Sequence, residues 1–409
     1  MSAKGYAIHD TNNWSDFKLI SYDLKTAEDY DIDIAITHCG ICGSDLHTIR
    51  GGWHSPDLPL VAGHEIVGEV TRVGPKVTEF KVGDRAGVGA QVSSCFDCST
   101  YYDGLNVAQL IPDQKIAITT TRTTVAKWWA PTTRDTPTAT RYTRFLNSRK
   151  SSLTNVPLVL LSKATGGYAT AIRVHERFVF PIPDKLASDI AAPMLCAGLT
   201  TYSALVRYGC GPGKKVGVVG IGGLGHFAIM WAKALGAEVY ALTRNSRKDE
   251  DIKKLGADHI LYTEEEDFTK SYEGEMDIII SVRFTSFSGV RATTVLTRQQ
   301  HQTISVSAGI PIRKILSLLA VNGHLVCAGL PDEPLPQIAA FDLLVNGCAL
   351  AGSHIGSKKE VVEMLKLASE QDLRSWIEVL PMSKLKEGVE KVERGDVRYR
   401  VVLENDIEA

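Results

Sequence analysis

The sequence predicts an α/β protein of two domains, a small β-barrel-like domain followed by a doubly wound parallel sheet. Three observations carry this. At 409 residues the chain is too long for one ordinary core. Residues 31–92 read as short strands between Gly, Pro and Asp turns. From about Ala187 onward strand and helix patterns alternate, as βαβ units do.

In order along the chain, DIDIAIT, EIVGEVTRVG and RAGVGAQV are alternating or continuous apolar runs that suit barrel strands. The second half then reads as strand Lys215–Val219, helix Phe227–Leu235, strand Glu238–Leu242, helix Lys248–Leu255 and strand His259–Tyr262. Asp277–Val282 and His324–Leu330 are expected as later strands of the same sheet, Lys359–Glu370 as a helix and Tyr399–Leu403 as a closing strand.

Bulk composition narrows the partners. With 45 Lys/Arg against 47 Asp/Glu the net charge is −2, so no nucleic-acid or anionic-membrane partner is expected. The first residues lack the apolar core of a signal peptide. The longest apolar stretch, Val216 to Ala232, carries five glycines and reads as buried core rather than a membrane span. Eight cysteines in so long a chain are no disulfide framework, and the two C-x-x-C pairs suggest metal binding in a reducing cytosol.

Two stretches fit no period. Residues 106–163 are Thr- and Arg-rich, with nine Lys/Arg and one acid between Lys115 and Lys163; residues 283–306 contain no acid at all. Insertions of this kind are uncommon inside a compact domain. Disordered insertion is favoured over a binding lobe, because Thr, Arg and Ser bury little apolar area against their ordering cost. The abrupt, acid-poor joints have the look of translated non-coding sequence.

The strongest local signal is Cys39-Gly-Ile-Cys42-Gly-Ser44-Asp45-Leu-His47, followed by Gly63-His64-Glu65. Thiolate, imidazole and carboxylate are zinc's preferred donors, and a catalytic zinc needs about three plus an open position. Adjacent His64 and Glu65 are an unusual ligand pair, since neighbours on a strand point opposite ways. One of them must sit at a bend, or ligate only in one state.

These residues resemble the medium-chain zinc alcohol dehydrogenase family, and within it the cinnamyl-alcohol-dehydrogenase branch with its fungal NADP-dependent members. The likeness continues through Gly166-Gly-Tyr168, VHERFVFPIPDKLA, AAPMLCAGLTTYSAL, VGVVGIGGLGH, TRNSRK and GDVRYRVVL. It implies a GroES-like barrel over residues 1–186, a Rossmann domain over 187–350 and a return to the barrel over 351–409. It also implies that Cys42, His64 and Cys196 hold a catalytic zinc, with Glu65 as a yielding fourth ligand and Asp45 orienting His64. Ser44 and His47 would relay the alcohol proton. The family's second, structural zinc lobe is spaced C-x-x-C-x-x-C-x7-C. Here Cys95 and Cys98 stand, but Tyr101 and Gln109 replace the other two, so that site is expected only as a remnant. Cys39 is expected to pack as a small buried residue. A homodimer is implied by the resemblance alone.

Gly220-Ile-Gly222-Gly-Leu-Gly225 follows a strand and opens a helix, the context in which G-x-G-x-x-G binds a dinucleotide. The next strand ends Thr243-Arg244-Asn245-Ser246-Arg247-Lys248, with no carboxylate for a ribose 2′-hydroxyl and three cations suited to a 2′-phosphate. Thr243, Arg244, Ser246, Arg247 and Lys248 are the candidate contacts. Ser353 and Arg398 match family positions near the cofactor. The expected function is a zinc-dependent NADP(H) oxidoreductase acting on an aromatic or medium-chain alcohol/aldehyde pair. A polyol dehydrogenase of the same superfamily, and a cofactor-binding relic impaired by the two insertions, are the alternatives.

Overall fold

A computed structural model of the chain describes residues 2–52, 55–93, 165–282, 312–329, 335 and 337–408, with the backbone of a short strand at 117–118. Cys95 and Cys98 lie outside these residues, as do the stretches expected at 106–163 (the short strand apart) and 283–306.

The first half is β-rich. Strands β1 (Ser2–Ile8), β2 (Lys18–Asp23) and β4 (Leu60–Val61) form a three-stranded sheet in the order β2-β1-β4. A second sheet runs β10-β6-β5-β3-β18-β17, with β9 also paired to β3. Its members are β3 (Asp31–Ile41), β5 (Glu65–Val73), β6 (Arg85–Val88), β9 (Ala171–His175) and β10 (Val179–Pro181). The last two come from the end of the chain, β17 (Ile377–Pro381) and β18 (Arg400–Glu404). β18 lies antiparallel to β3 and parallel to β17. The run RAGVGAQV, expected as one strand, is divided between β6 and β7 (Gln91–Ser93). The break falls at Gly89, where a Cβ would come within 2.9 Å of the Leu195 carbonyl oxygen. β7 pairs with β8 (Ala117–Ile118).

The second half holds a six-stranded, wholly parallel sheet in the order β13-β12-β11-β14-β15-β16. These strands are β11 (Lys215–Val219), β12 (Glu238–Thr243), β13 (His259–Tyr262), β14 (Met276–Ser281), β15 (Leu319–Cys327) and β16 (Ala349–Gly352). Successive side chains of a strand face opposite ways. Thus Val216, Val218, Ile278 and Ile280 enter the core shared with the helices Ala197–Arg207, Gly225–Ala234 and Asp249–Leu255. Val219 and Ile279 face a separate core under the helix Ile312–Ser317, which Met276 joins across a register shift in β14. Apolar faces on both sides are what a doubly wound parallel sheet requires. β15 starts at Leu319, five residues before the expected His324, and β18 is shifted one residue towards the C-terminus from the expected Tyr399–Leu403.

Candidate metal centre and cofactor cleft

Four donors from three distant segments meet at one point. Cys42 caps the helix Gly43–Ile49 just after β3. His64 stands in the turn before β5, Glu65 is the first residue of β5, and Cys196 precedes the helix Ala197–Arg207. Their ligand atoms all lie within 4.8 Å of one another, and all four residues are buried. The adjacency of His64 and Glu65 is resolved by Gly63, whose φ of +99° turns the chain ahead of the strand. Glu65 in turn needs Gly40 opposite it in the β3–β5 ladder. A Cβ on Gly40 would sit 2.1 Å from Glu65 Oε2.

Asp45 holds the imidazole. Its Oδ1 accepts from His64 Nδ1 at 2.8 Å and from the Gly63 N–H at 3.1 Å; its Oδ2 accepts from the Cys42 N–H and the Tyr168 hydroxyl, both at 2.9 Å. That bond sets the direction of the ring, and its other nitrogen, Nε2, points at Cys196 Sγ, 3.1 Å away. Burial alone would lower the His64 pKa, but the Asp45 carboxylate and the Cys42 sulfur hold it well above the ordinary value. The thiols respond as a pair. Hydrogen bonding from Cys196, with His64 and Arg400 nearby, holds Cys42 well below the usual thiol range; bonding to that sulfur and burial push Cys196 up.

Glu65 is paired to Arg400 on β18, whose Nη2 lies 2.5 Å from Oε1 and 2.6 Å from Oε2. Burial pushes the Glu65 carboxyl up to about 7 against the pull of that guanidinium. Neither Arg400 nor Tyr168 carries a role in the sequence-based expectations, whereas Arg398, expected near the cofactor, lines the cleft. Cys39 is buried as expected and packs where a Cβ on Gly167 would come within 2.7 Å of its sulfur.

Beside this cluster opens a cleft of about 1060 Å³. Gly220, Ile221, Gly222, Gly223 and Leu224 line one side, with Thr243, Arg244, Arg247 and Lys248 at the end of β12; His47 and Arg50 come from the barrel half. Gly225 lies behind the loop, where a Cβ would sit 2.0 Å from the Gly220 carbonyl oxygen, so only glycine lets the helix start so close. Lys248 Nζ donates to the Ile221 carbonyl at 2.5 Å, and Arg398 pairs with Asp251 at 3.0 Å while still facing the cleft. Ser246 opens the turn Ser246–Lys248 and is not among the lining residues. Nor is Ser44, which sits partly exposed on the first turn of the helix Gly43–Ile49. Ser353 also lies off the cleft wall, where its Oγ accepts from Arg207 at 3.2 Å.

Residues 28–184 match the alcohol dehydrogenase GroES-like domain, and residues 223–370 match the zinc-binding dehydrogenase domain. A relative named NADP-dependent alcohol dehydrogenase 6, from Saccharomyces cerevisiae, is 38% identical over 98% of this chain and 96% of its own length. Cinnamyl alcohol dehydrogenase 2 of Arabidopsis thaliana is 37% identical over 91% of this chain and 84% of its own. The solved structure of a cinnamyl alcohol dehydrogenase from Sorghum bicolor superposes with a TM-score of 0.79 at 31% identity, covering 100% of both chains. Two domain matches in order, a full-length relative and a donor cluster beside a glycine-rich cleft place this chain in the zinc-dependent medium-chain alcohol dehydrogenase family, in its cinnamyl-alcohol-dehydrogenase branch.

Proposed function

We propose that the chain interconverts an alcohol and its aldehyde with NADP(H), at one zinc ion held by Cys42, His64 and Cys196, with Glu65 as an exchangeable fourth donor. The observation that carries this reading is the convergence of two thiols, an imidazole and a carboxylate within 4.8 Å, all buried. That donor set suits zinc, and a site with one replaceable ligand is the catalytic kind. Bound there, zinc supplies a Lewis acid for the substrate oxygen and NADP(H) supplies or accepts the hydride. The protein does the rest. Asp45 keeps His64 in the tautomer that presents Nε2. Arg400 offers Glu65 a resting partner, so the carboxylate is never buried alone when it yields its position. His47 lines the cleft and, with Ser44 on the same helix, is assigned the path that carries the hydroxyl proton out to water.

The cofactor assignment rests on the end of β12, where no acid stands to repel a 2′-phosphate and Arg244, Arg247 and Lys248 line the cleft. A Helicobacter pylori relative of known structure, 28% identical with a TM-score of 0.75, is described as complexed with NADP(H). The substrate class proposed is an aromatic or medium-chain aldehyde. A polyol is the second reading, favoured by a Fragaria ananassa relative named probable mannitol dehydrogenase, 37% identical over 98% of this chain. Steady-state rates with cinnamaldehyde and NADPH against mannitol and NAD decide between them. Faster mannitol oxidation would overturn the aldehyde assignment.

We further propose a homodimer. Val321, Phe341, Leu344 and Val345 are each at least 70% exposed beside β16, the edge of the parallel sheet, and the Asn322 N–H bond to Asn346 brings the Val321 and Val345 stretches together. An apolar patch on an open strand edge suits a second copy. Phe341→Asp should give a monomer in sedimentation, and a wild-type chain that sediments as a monomer would rule the dimer out. All six described cysteines are free thiols, which supports a cytosolic location.

A further inference from the structure

Asp45 is a fully buried carboxylate that accepts four hydrogen bonds, two on each oxygen. Two donors are backbone N–H groups held by their turns. A third is the imidazole that Asp45 has to orient. The fourth is the hydroxyl of Tyr168, 2.9 Å from Oδ2. We propose that Tyr168 is a positioning residue of the metal centre, fixing through Asp45 the direction in which His64 presents its ligand nitrogen; the proposal rests on the zinc reading above.

The phenol is held as firmly as its task requires. Its ring is completely buried in the barrel core. The segment that carries it is bonded onto the strand that leads into His64: Gly166 N–H to the Val61 carbonyl at 2.9 Å, Tyr168 N–H to Ala62 at 2.9 Å and Gly167 N–H to Gly63 at 2.8 Å. On its other side the Tyr168 carbonyl accepts from the Tyr6 N–H at 2.8 Å. Close approach is possible only because three residues lack side chains. A Cβ would lie 2.2 Å from the Ala62 oxygen at Gly166, 2.4 Å from Ile66 at Gly167 and 2.8 Å from the Tyr168 ring at Gly63. Burial and the Asp45 charge keep the phenol protonated, so it remains a donor. Without it Oδ2 would keep only the Cys42 N–H, and the carboxylate could rotate about its own axis and carry His64 with it. Precision of a ligand depends on such outer partners.

Tyr168→Phe keeps the ring and removes the donor. In the purified full-length chain, competition with a chromophoric chelator should show zinc held roughly ten-fold more weakly, the low end of the range for outer partners of a ligand. The visible spectrum of the cobalt-substituted protein should shift with it. Asp45→Asn should weaken zinc at least as much, and adding Tyr168→Phe to Asp45→Asn should change affinity little further, because both act along one path. A ring that serves only to fill the core would leave zinc affinity and the cobalt spectrum of Tyr168→Phe unchanged, and that result overturns the proposal while the zinc reading stands. Full additivity with Asp45→Asn also overturns it. If the wild-type chain itself takes up neither zinc nor cobalt, the zinc reading falls and the positioning role falls with it.

Discussion

Arg400 serves Glu65 through one nitrogen, Nη2, which reaches both carboxylate oxygens, while its Nε has no partner among the described residues. The same guanidinium lies under the glycine-rich loop, where a Cβ on Gly223 would be 3.0 Å from Nη1. One buried cation therefore touches both the candidate ligand set and the floor of the cofactor cleft.

Removing that cation should cost stability and cofactor affinity together. Breaking a buried pair leaves one charge uncompensated, at roughly 3–5 kcal/mol. Arg400→Met should lose about that much in urea denaturation, and Glu65→Gln combined with Arg400→Met should recover most of it. A double variant no more stable than the single one would show that the pair is not what stabilises this region. Fluorescence titration should also show weaker NADPH binding in Arg400→Met.

The cofactor preference should be carried by the end of β12. Arg244→Asp places a carboxylate where the 2′-phosphate is expected, with a loss on the order of 1–3 kcal/mol for charge-assisted bonds. The ratio of kcat/KM for NADPH over NADH should therefore fall by at least about five-fold. Equal use of the two cofactors by the wild-type chain would refute the assignment.

Metal analysis after mild dialysis should give close to one zinc per chain, since the described residues hold one four-donor cluster. Cys42→Ser should abolish both the metal and the activity. Two tightly held equivalents would contradict the reading of Cys95 and Cys98 as a remnant.

Acid should expose a cost stored at His226. Its ring is fully buried, stacks on Tyr399 with centroids 5.3 Å apart, and has an Nε2 without a partner among the described residues. Burial, with the Arg400 charge, lowers its pKa to about 3. The unfolded chain titrates near the ordinary value, so between about pH 6.5 and pH 3 it binds a proton the folded chain refuses. Stability falls as pH drops through that window. From pH 7.5 to pH 5 the wild type should lose about 2 kcal/mol more than His226→Gln, at about 1.4 kcal/mol per pH unit. Parallel urea midpoints for the two proteins across that interval would refute the burial argument.

What could be read in the sequence was whatever local pattern decides. The βαβ run from Lys215 to Tyr262 was legible because alternating apolar runs and Gly-rich turns specify strand, turn and helix within a few residues of each other. The donors Cys42, His64, Glu65 and Cys196 came from motifs carried by resemblance, and how adjacent His64 and Glu65 could converge depended on the φ of Gly63. Arg400 was illegible for a physical reason. Its partner lies 335 residues away, and nothing near an arginine at the head of a strand tells whether its charge is solvated or paired. Tyr168 and Asp45 are 123 residues apart, and the phenol's role depends on a hydrogen bond that no spacing encodes. Ser353 was placed at the cofactor by resemblance, whereas its hydroxyl is occupied by Arg207, beside the Arg207–Glu360 ion pair.

The late arrival of β18 bears on how the protein is made. Cys42, His64, Glu65 and Cys196 all leave the ribosome long before Arg400, so a growing chain holds every donor while Glu65 still lacks its cation. In that interval the stretch Cys39–Ile41, which β18 later covers, presents an unpaired strand edge. Unfinished or truncated chains should be recognised there by chaperones and proteases. Synthesis of β18 is then the event that covers this edge and brings Glu65 its cation.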